Sequence, residues 1–315
     1  MNIRLTIHWV AFCALVAATG CRKYVVFDGD DRPPRTVVNG VMHAHQPFEA
    51  HVSNSRGYTS IGGLSDIVNA QVRVYNAQGV RIDSLVHISS GRYEGTQVAL
   101  PGNEYTVKVR SPFGEVQATD RVPGAVPILN WDTVRIPIPD APFISTMEIS
   151  ITITDPGQEA NWYYLEVLNG LNYIIEWVFN PNSGSFEPDT IFFDEAFFDR
   201  ATISTADPLI LSENDAGIGE TRIWSRGLTF TDQLFNGTTR TFSIRMESFF
   251  TPSTLIVRLH HTSPELWRYI RTANRFLATE GDPFAEPVPV YTNVRGGLGM
   301  WGATHVSEVE IQVWE

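Results

Sequence analysis

The sequence predicts an all-β protein of two β-sandwich-like domains with one short helix in the second, and three observations carry that prediction. Hydrophobic residues make up 43% of the chain and charged residues only 18%, with many Val, Ile, Thr, Phe and Tyr, the side chains that suit pleated sheets. Short apolar runs recur with turn signals between them. Prolines at 123, 127, 137, 139 and 142 then break the pattern, and so proline-rich a stretch is not expected within a sheet, which sets a boundary between two β-rich halves.

Before those halves comes a leader. Arg4 gives it a positive start, Leu5 to Ala18 is apolar apart from Thr6 and His8, and Ala18-Thr19-Gly20-Cys21 looks like a lipobox. The run is too short to span a bilayer comfortably. Residues 1–20 are therefore expected to be a lipoprotein signal peptide, leaving Cys21 as the lipidated N-terminus. Small residues precede the cysteine because the peptidase needs an unhindered backbone beside a thiol that carries diacylglycerol. The other cysteine, Cys13, lies in the discarded segment, so Cys21 has no disulfide partner in the mature chain. Several acyl chains on one residue suffice for stable membrane attachment. Arg22, where Asp would signal inner-membrane retention, favours the outer membrane. The acidic cluster of Asp28, Asp30 and Asp31 leaves both the cell-surface and the periplasmic face open. Residues 21–35 are polar and contain prolines, which reads as a tether.

Residues 36–125 carry runs at Thr36 to Met42, Glu49 to Ser53, Gln71 to Tyr75, Val80 to Val86, Tyr105 to Arg110 and Glu115 to Thr119, a spacing that suggests a sandwich. Val72 and Val74 point one way while Arg73 and Tyr75 point the other. Gly91-Arg92-Tyr93, Leu100-Pro101-Gly102 and Tyr105-Thr106-Val107 resemble small immunoglobulin-like domains of the carboxypeptidase-regulatory type, in which a Pro-Gly turn feeds a strand whose tyrosine packs on the sheet edge. That resemblance concerns architecture only.

Residues 126–144 are expected to form a proline-rich linker, and 145–315 a second β-rich domain. Its strands are read at Met147 to Thr154, Trp162 to Leu168, Tyr173 to Phe179, Thr241 to Glu247 and Leu255 to His260, with Val309, Ile311 and Val313 alternating in a closing one. The helix is expected near 264–279. Ser263 caps it, Pro264 suits its first position, Glu265 meets the positive end of its dipole, and Leu266, Ile270, Ala273 and Leu277 share one face. Gly281 and Pro283 stop it.

A net charge of −12 lacks the electrostatic footprint of a nucleic-acid binder and disfavours polybasic attachment to lipid headgroups. No nucleophile elbow, His-Glu-x-x-His pair or phosphate loop is present, so neither catalytic residues, a metal site nor a cofactor are expected. His43, His45 and His51 could meet at a metal, though a polar strand end explains them equally; His260 and His261 point to opposite faces. Asp194, Glu195 and Asp199 lie among Phe192, Phe193, Phe197 and Phe198 in the long segment between Asn180 and Glu220. Carboxylates beside aromatic rings can work on sugars, but the favoured reading is a contact surface on an irregular insertion. Trp162, Tyr163, Tyr164, Trp177 and Trp224 offer flat groups, of which one or two are expected at a surface, and Trp224 is placed with the three carboxylates as a candidate binding set.

Val37-Val38-Asn39-Gly40, Thr231-Asp232, Phe235-Asn236-Gly237, Ser263 to Tyr269, Asp282 to Val288, Val290 to Asn293 and Gly296 to Trp301 together resemble the Bacteroidota outer-membrane lipoprotein family of the domain of unknown function 4249. Trp301 stands where that family more often has Phe, and Thr231 where Ser is common. The family supplies no activity or catalytic residues. Its members resemble partners of TonB-dependent receptors, which implies a non-catalytic binding or accessory role in ligand capture or uptake. A structural or adhesive surface protein and a carbohydrate-active enzyme are the alternatives.

Overall fold

The computed structural model describes residues 33–56, 65–139, 144–213, 223–249, 253–279, 286 and 288–313. Cys21, the leader and nearly all of the tether lie outside them. Period-two burial builds the first sandwich. In β1 (Thr36–His43), Thr36, Val38, Gly40 and Met42 turn inward, and in β2 (Pro47–Asn54) Phe48, Ala50 and Val52 do so. β3 (Ser65–Asp66) adds a short pairing to β2. β4 (Gln71–Asn76) buries Val72 and Val74, as its alternation predicts. β5 (Arg81–Ser89) pairs with β4 through Leu85 and with β6 (Arg92–Val98) from Val86 onward, so one strand serves both neighbours. β6 showed no apolar alternation in the sequence because Tyr93 is its single buried residue. β7 (Glu104–Ser111) and β8 (Gly114–Arg121) follow. Tyr105 is buried, and its hydroxyl accepts from the Leu100 amide at 3.1 Å, which ties the Pro101-Gly102 turn to the strand it feeds.

The segment expected as a linker contains a strand, β9 (Ile128–Pro137), antiparallel to β10 (Ile144–Thr154). Its proline is tolerated because β9 is the outermost strand of its sheet and Pro137 ends it. β11 (Trp162–Asn180), β12 (Ser185–Arg200), β13 (Ile203–Thr205), α1 (Pro208–Glu213), β14 (Ile223–Ser225), β15 (Leu228–Thr231), β16 (Thr239–Phe249), β17 (Ser253–Thr262), α2 (Pro264–Thr279) and β18 (Leu298–Val313) follow. One sheet runs β14-β13-β16-β10-β9; the other carries β12-β11-β17-β18, with β15 added on β11. Ile149, Ile151, Ile153, Phe242 and Ile244 from the first meet Leu165, Phe230, Leu255 and Val257 from the second in one core. The fold is thus all-β with sandwich-like sheets.

Ser263 caps α2 as expected: its hydroxyl accepts from the Leu266 amide at 3.2 Å and also from Ala303 of β18 at 3.1 Å. The helix α1 was not anticipated. Asp207 caps it through the Leu209 amide at 2.9 Å, Pro208 sits at its first turn, and Leu209 and Ile210 reach the second core.

The two sandwiches share a strand. Leu298–Thr304 pairs in parallel with Val37–His43, and Thr304–Val313 pairs antiparallel with Ser253–Thr262. Trp301 is fully buried against Phe48 in the first core, while Ile311 and Val313 enter the second. A Cβ at Gly40 would stand 2.5 Å from the Trp301 ring, so only glycine fits opposite that indole. Asn293 completes the seam: its side-chain amide donates to the Trp301 carbonyl at 2.8 Å and its oxygen accepts from the Trp301 amide at 3.0 Å. The residues around Gly40 and Trp301, far apart in sequence, are therefore one structural unit.

Candidate functional site

β11 is 19 residues long, but β17 pairs with it only as far as Gly170. From Leu171 to Asn180 its described pairing is with β12, so the two strands continue beyond the sheet as a ribbon. The tip is closed by its own polar groups. Gly184 takes φ +70° and donates to Asn180 O at 2.9 Å. Glu187 accepts from Asn180 Nδ2 at 2.7 Å and Ser183 Oγ at 2.6 Å, and these hydrogen bonds hold its carboxyl below the ordinary range. Phe179 and Phe186 pair across the strands edge to face at 5.5 Å, yet are 52% and 64% exposed, so the pair is not a core contact. Val178, Ile191, Phe197 and Phe198 are also exposed.

The segment read as an irregular insertion is therefore mostly regular strand. The register shift between Leu171 and Tyr173 places residues 193–196 of β12 opposite one residue of β11, and Asp194 and Glu195 fall in that bulge. Their side chains, and that of Trp224, lie outside what is described. Asp199 sits past the bulge, where Arg226 reaches it at 3.6 Å. Trp224 belongs to β14 on the other sheet, two residues before Arg226, so the four proposed binding residues are spread over two sheets. Of the other aromatic candidates, Tyr163 and Tyr164 are buried and Trp162 is half-buried.

Sequence reasoning missed the clamp at the ribbon's root. Glu166 is 3% exposed, with Arg200 Nε at 2.7 Å from one carboxylate oxygen and His260 Nε2 at 3.3 Å from the other. Burial alone would raise its pKa, but the His260 hydrogen bond and the charges of His260, Arg200 and Arg258 outweigh it and leave the carboxyl below its ordinary value. The cluster ties β11, β12 and β17 together where β12 ends, four residues of β11 inside the point at which β17 stops pairing with it. A lone polar residue between Leu165 and Val167 was its one sequence signal, since Arg200 and His260 lie far along the chain. A cavity of about 340 Å³ is lined by Asn169, Ala201, Thr202, Met246 and Glu247.

The histidines do not converge on a metal. His51 bonds Asp66 at 3.0 Å, His45 meets His305 edge-on at 5.7 Å, and burial with the nearby His260 holds the pKa of His43 down. His260 and His261 do face opposite ways: His261 stacks on Tyr163 and donates to Gly124 O at 2.9 Å. Among the described residues no group of three His, Cys, Asp or Glu is placed to hold a metal ion.

A second cavity, of about 420 Å³, lies between β8 and the start of α2, with Gln117, Thr119, Glu265, Tyr291 and Arg295 in its lining. Near it, burial pushes the Asp120 carboxyl up to about 7, against the lowering effect of the Ser263 hydroxyl and the Arg121 amide. Between about pH 4 and pH 7 the folded chain keeps a proton there that the unfolded chain has lost, so stability falls as pH rises across that window. Asp120→Asn removes this dependence. The variant is expected to gain on the order of 2–4 kcal/mol over the parent at pH 8 and little at pH 4. Urea melts at the two pH values check this, and a gain independent of pH would refute it.

The model of the family described as Domain of unknown function (DUF4249) matches residues 22–310. No curated protein matches the chain. Among solved structures, the crystal structure of a Salmonella alpha-2-macroglobulin mutant is similar over 93% of this chain and 16% of that one, at 10% identity and a TM-score of 0.23. This chain thus spans about a sixth of that protein's length, and the likeness carries no argument.

Proposed function

We propose, from the premise that this chain belongs to the DUF4249 family, that it is a non-catalytic binding or accessory lipoprotein. Lipid on Cys21 holds it at the outer membrane, on the periplasmic or the cell-surface face, and it works with a TonB-dependent receptor in ligand capture or uptake. The observation that carries the reading is the ribbon, which exposes Phe179, Phe186, Phe197 and Phe198 on strands tied into the sheet by ion pairs to the buried Glu166. Exposed aromatic side chains on a firmly anchored element suit recognition of another molecule. The lipobox at Ala18-Thr19-Gly20-Cys21 supports the anchoring.

Two measurements test the reading. Mass spectrometry of the mature N-terminus is expected to find Cys21 diacylated, and Cys21→Ser is expected to move the protein out of the membrane fraction. Purification in mild detergent is expected to bring a receptor barrel with the tagged chain. Membrane retention of the serine form overturns the anchor, and absence of a barrel overturns the accessory role in favour of an adhesive or structural one.

A further inference from the structure

We propose that the β11–β12 ribbon docks into a protein partner whose contact face is an apolar groove bordered by Lys and Arg side chains. The inference rests on the accessory reading and names the chemistry of the partner. The register puts positions Tyr173, Ile175, Trp177 and Phe179 opposite Phe192, Thr190, Pro188 and Phe186, so one set of facing positions is drawn, Thr190 apart, from aromatic and apolar residue types. Positions Ile174, Glu176 and Val178 stand opposite Ile191, Asp189 and Glu187 on the other. A two-stranded ribbon is marginal in water by itself, and at its described positions Val178, Phe179, Phe186 and Ile191 are exposed apolar side chains, which mark an interaction site.

Charge selects the occupant. Glu176, Glu187, Asp189, Asp194, Glu195 and Asp199 all fall within residues 171–199, where there is no Lys or Arg. A second copy would bring the same carboxylates against these. Pro188 in the outermost strand also withholds an amide from edge pairing. The carboxylates at Glu176, Asp189 and Glu187 on the opposite face keep the ribbon from being buried in a bilayer interior and are repelled by anionic headgroups. A protein groove offers apolar contact to the rings and cations to the carboxylates at once, which fixes register as well as affinity.

Two synthetic peptides serve as probes on the full-length chain in detergent, one alternating Leu and Lys, the other Leu and Glu. The Leu-Lys peptide is expected to bind roughly tenfold or more tightly than its acidic counterpart. Phe179→Ser with Phe186→Ser, at exposed tip positions outside both cores, should cost roughly tenfold in that affinity. Glu176→Gln, Asp189→Asn and Asp194→Asn together should cost about as much and flatten the salt dependence. Glu104→Gln, Asp132→Asn and Glu310→Gln, which remove the same charge elsewhere, should leave it unchanged. Equal binding of the two peptides, an equal loss in the control triple, dimerisation abolished by Phe186→Ser, or a neutral oligosaccharide displaced by the same Phe changes each overturns the proposal. A receptor barrel that co-purifies equally with parent and Phe variants sinks the ribbon assignment and spares the accessory reading. No barrel with the parent, but the expected peptide binding, does the reverse.

Discussion

Ending the chain after Gly297 is expected to abolish the cooperative unfolding of both sandwiches, although it deletes nothing from residues 34 to 297. The cut strips β1 of its parallel partner from Val37 to His43 and β17 of its antiparallel partner from Ser253 to Thr262. It also empties the site of Trp301 beside Phe48 and Gly40. Replacing Trp301 alone with Ala should cost about 3–5 kcal/mol, a large part of the roughly 5–15 kcal/mol that holds a typical domain folded. Losing the strand as well exposes two apolar edges. Near-ultraviolet circular dichroism during a urea titration reads the outcome, and a sharp transition close to the parent midpoint would show that each sandwich stands without β18.

Asp155→Ala is expected to produce the largest loss from a single polar substitution. Asp155 is 2% exposed and accepts from Tyr163 Oη at 2.5 Å, Gly157 N at 3.1 Å and Gly237 N at 2.9 Å. Alanine would leave a buried phenol and two amides without an acceptor. At about 1–3 kcal/mol for each stranded group, the cost is on the order of 3–6 kcal/mol. Adding Tyr163→Phe should then be less damaging than in the parent, because the hydroxyl has already lost its partner. Urea midpoints of the four chains in this cycle decide it; strictly additive losses would mean that Tyr163 and Asp155 do not act together. Burial, and then the same hydroxyl bond, raise the Tyr163 pKa, so the phenol stays a donor throughout the working range. Phe235-Asn236-Gly237, one of the phrases on which the family resemblance was read, thereby has a structural role: its glycine supplies one of the three donors.

How much of this was legible follows from the range of the interactions. α2 was readable because its cap, first turn and apolar face lie within one short stretch, and β4 because alternation is local. β9 was misread because proline's exclusion from sheets does not hold at an outer edge, and whether a strand is outermost is not a local property. The first half of β18 was hidden by Gly296, Gly297, Gly299 and Gly302. Those residues are small because β1, β8 and α2 pack against them, with a Cβ on Gly299 falling 2.1 Å from Val38 O and one on Gly302 2.8 Å from Leu266. In the candidate site, the aromatic and acidic content between Tyr173 and Asp199 was plain in the sequence. The bulge at Asp194 and Glu195 was not, nor the clamp joining Glu166, Arg200 and His260, since both depend on which distant residues stand opposite.

The seam between Val37 and Leu298 also sets an order of events. A chain made from its N-terminus cannot close its first β-sandwich when that stretch emerges, because the strand that finishes it, from Leu298 onward, is made long after Val37. Until then β1 presents an open edge and the Phe48 pocket lacks its indole, which leaves the nascent chain dependent on holding chaperones and postpones closure of that sandwich until β18 has emerged.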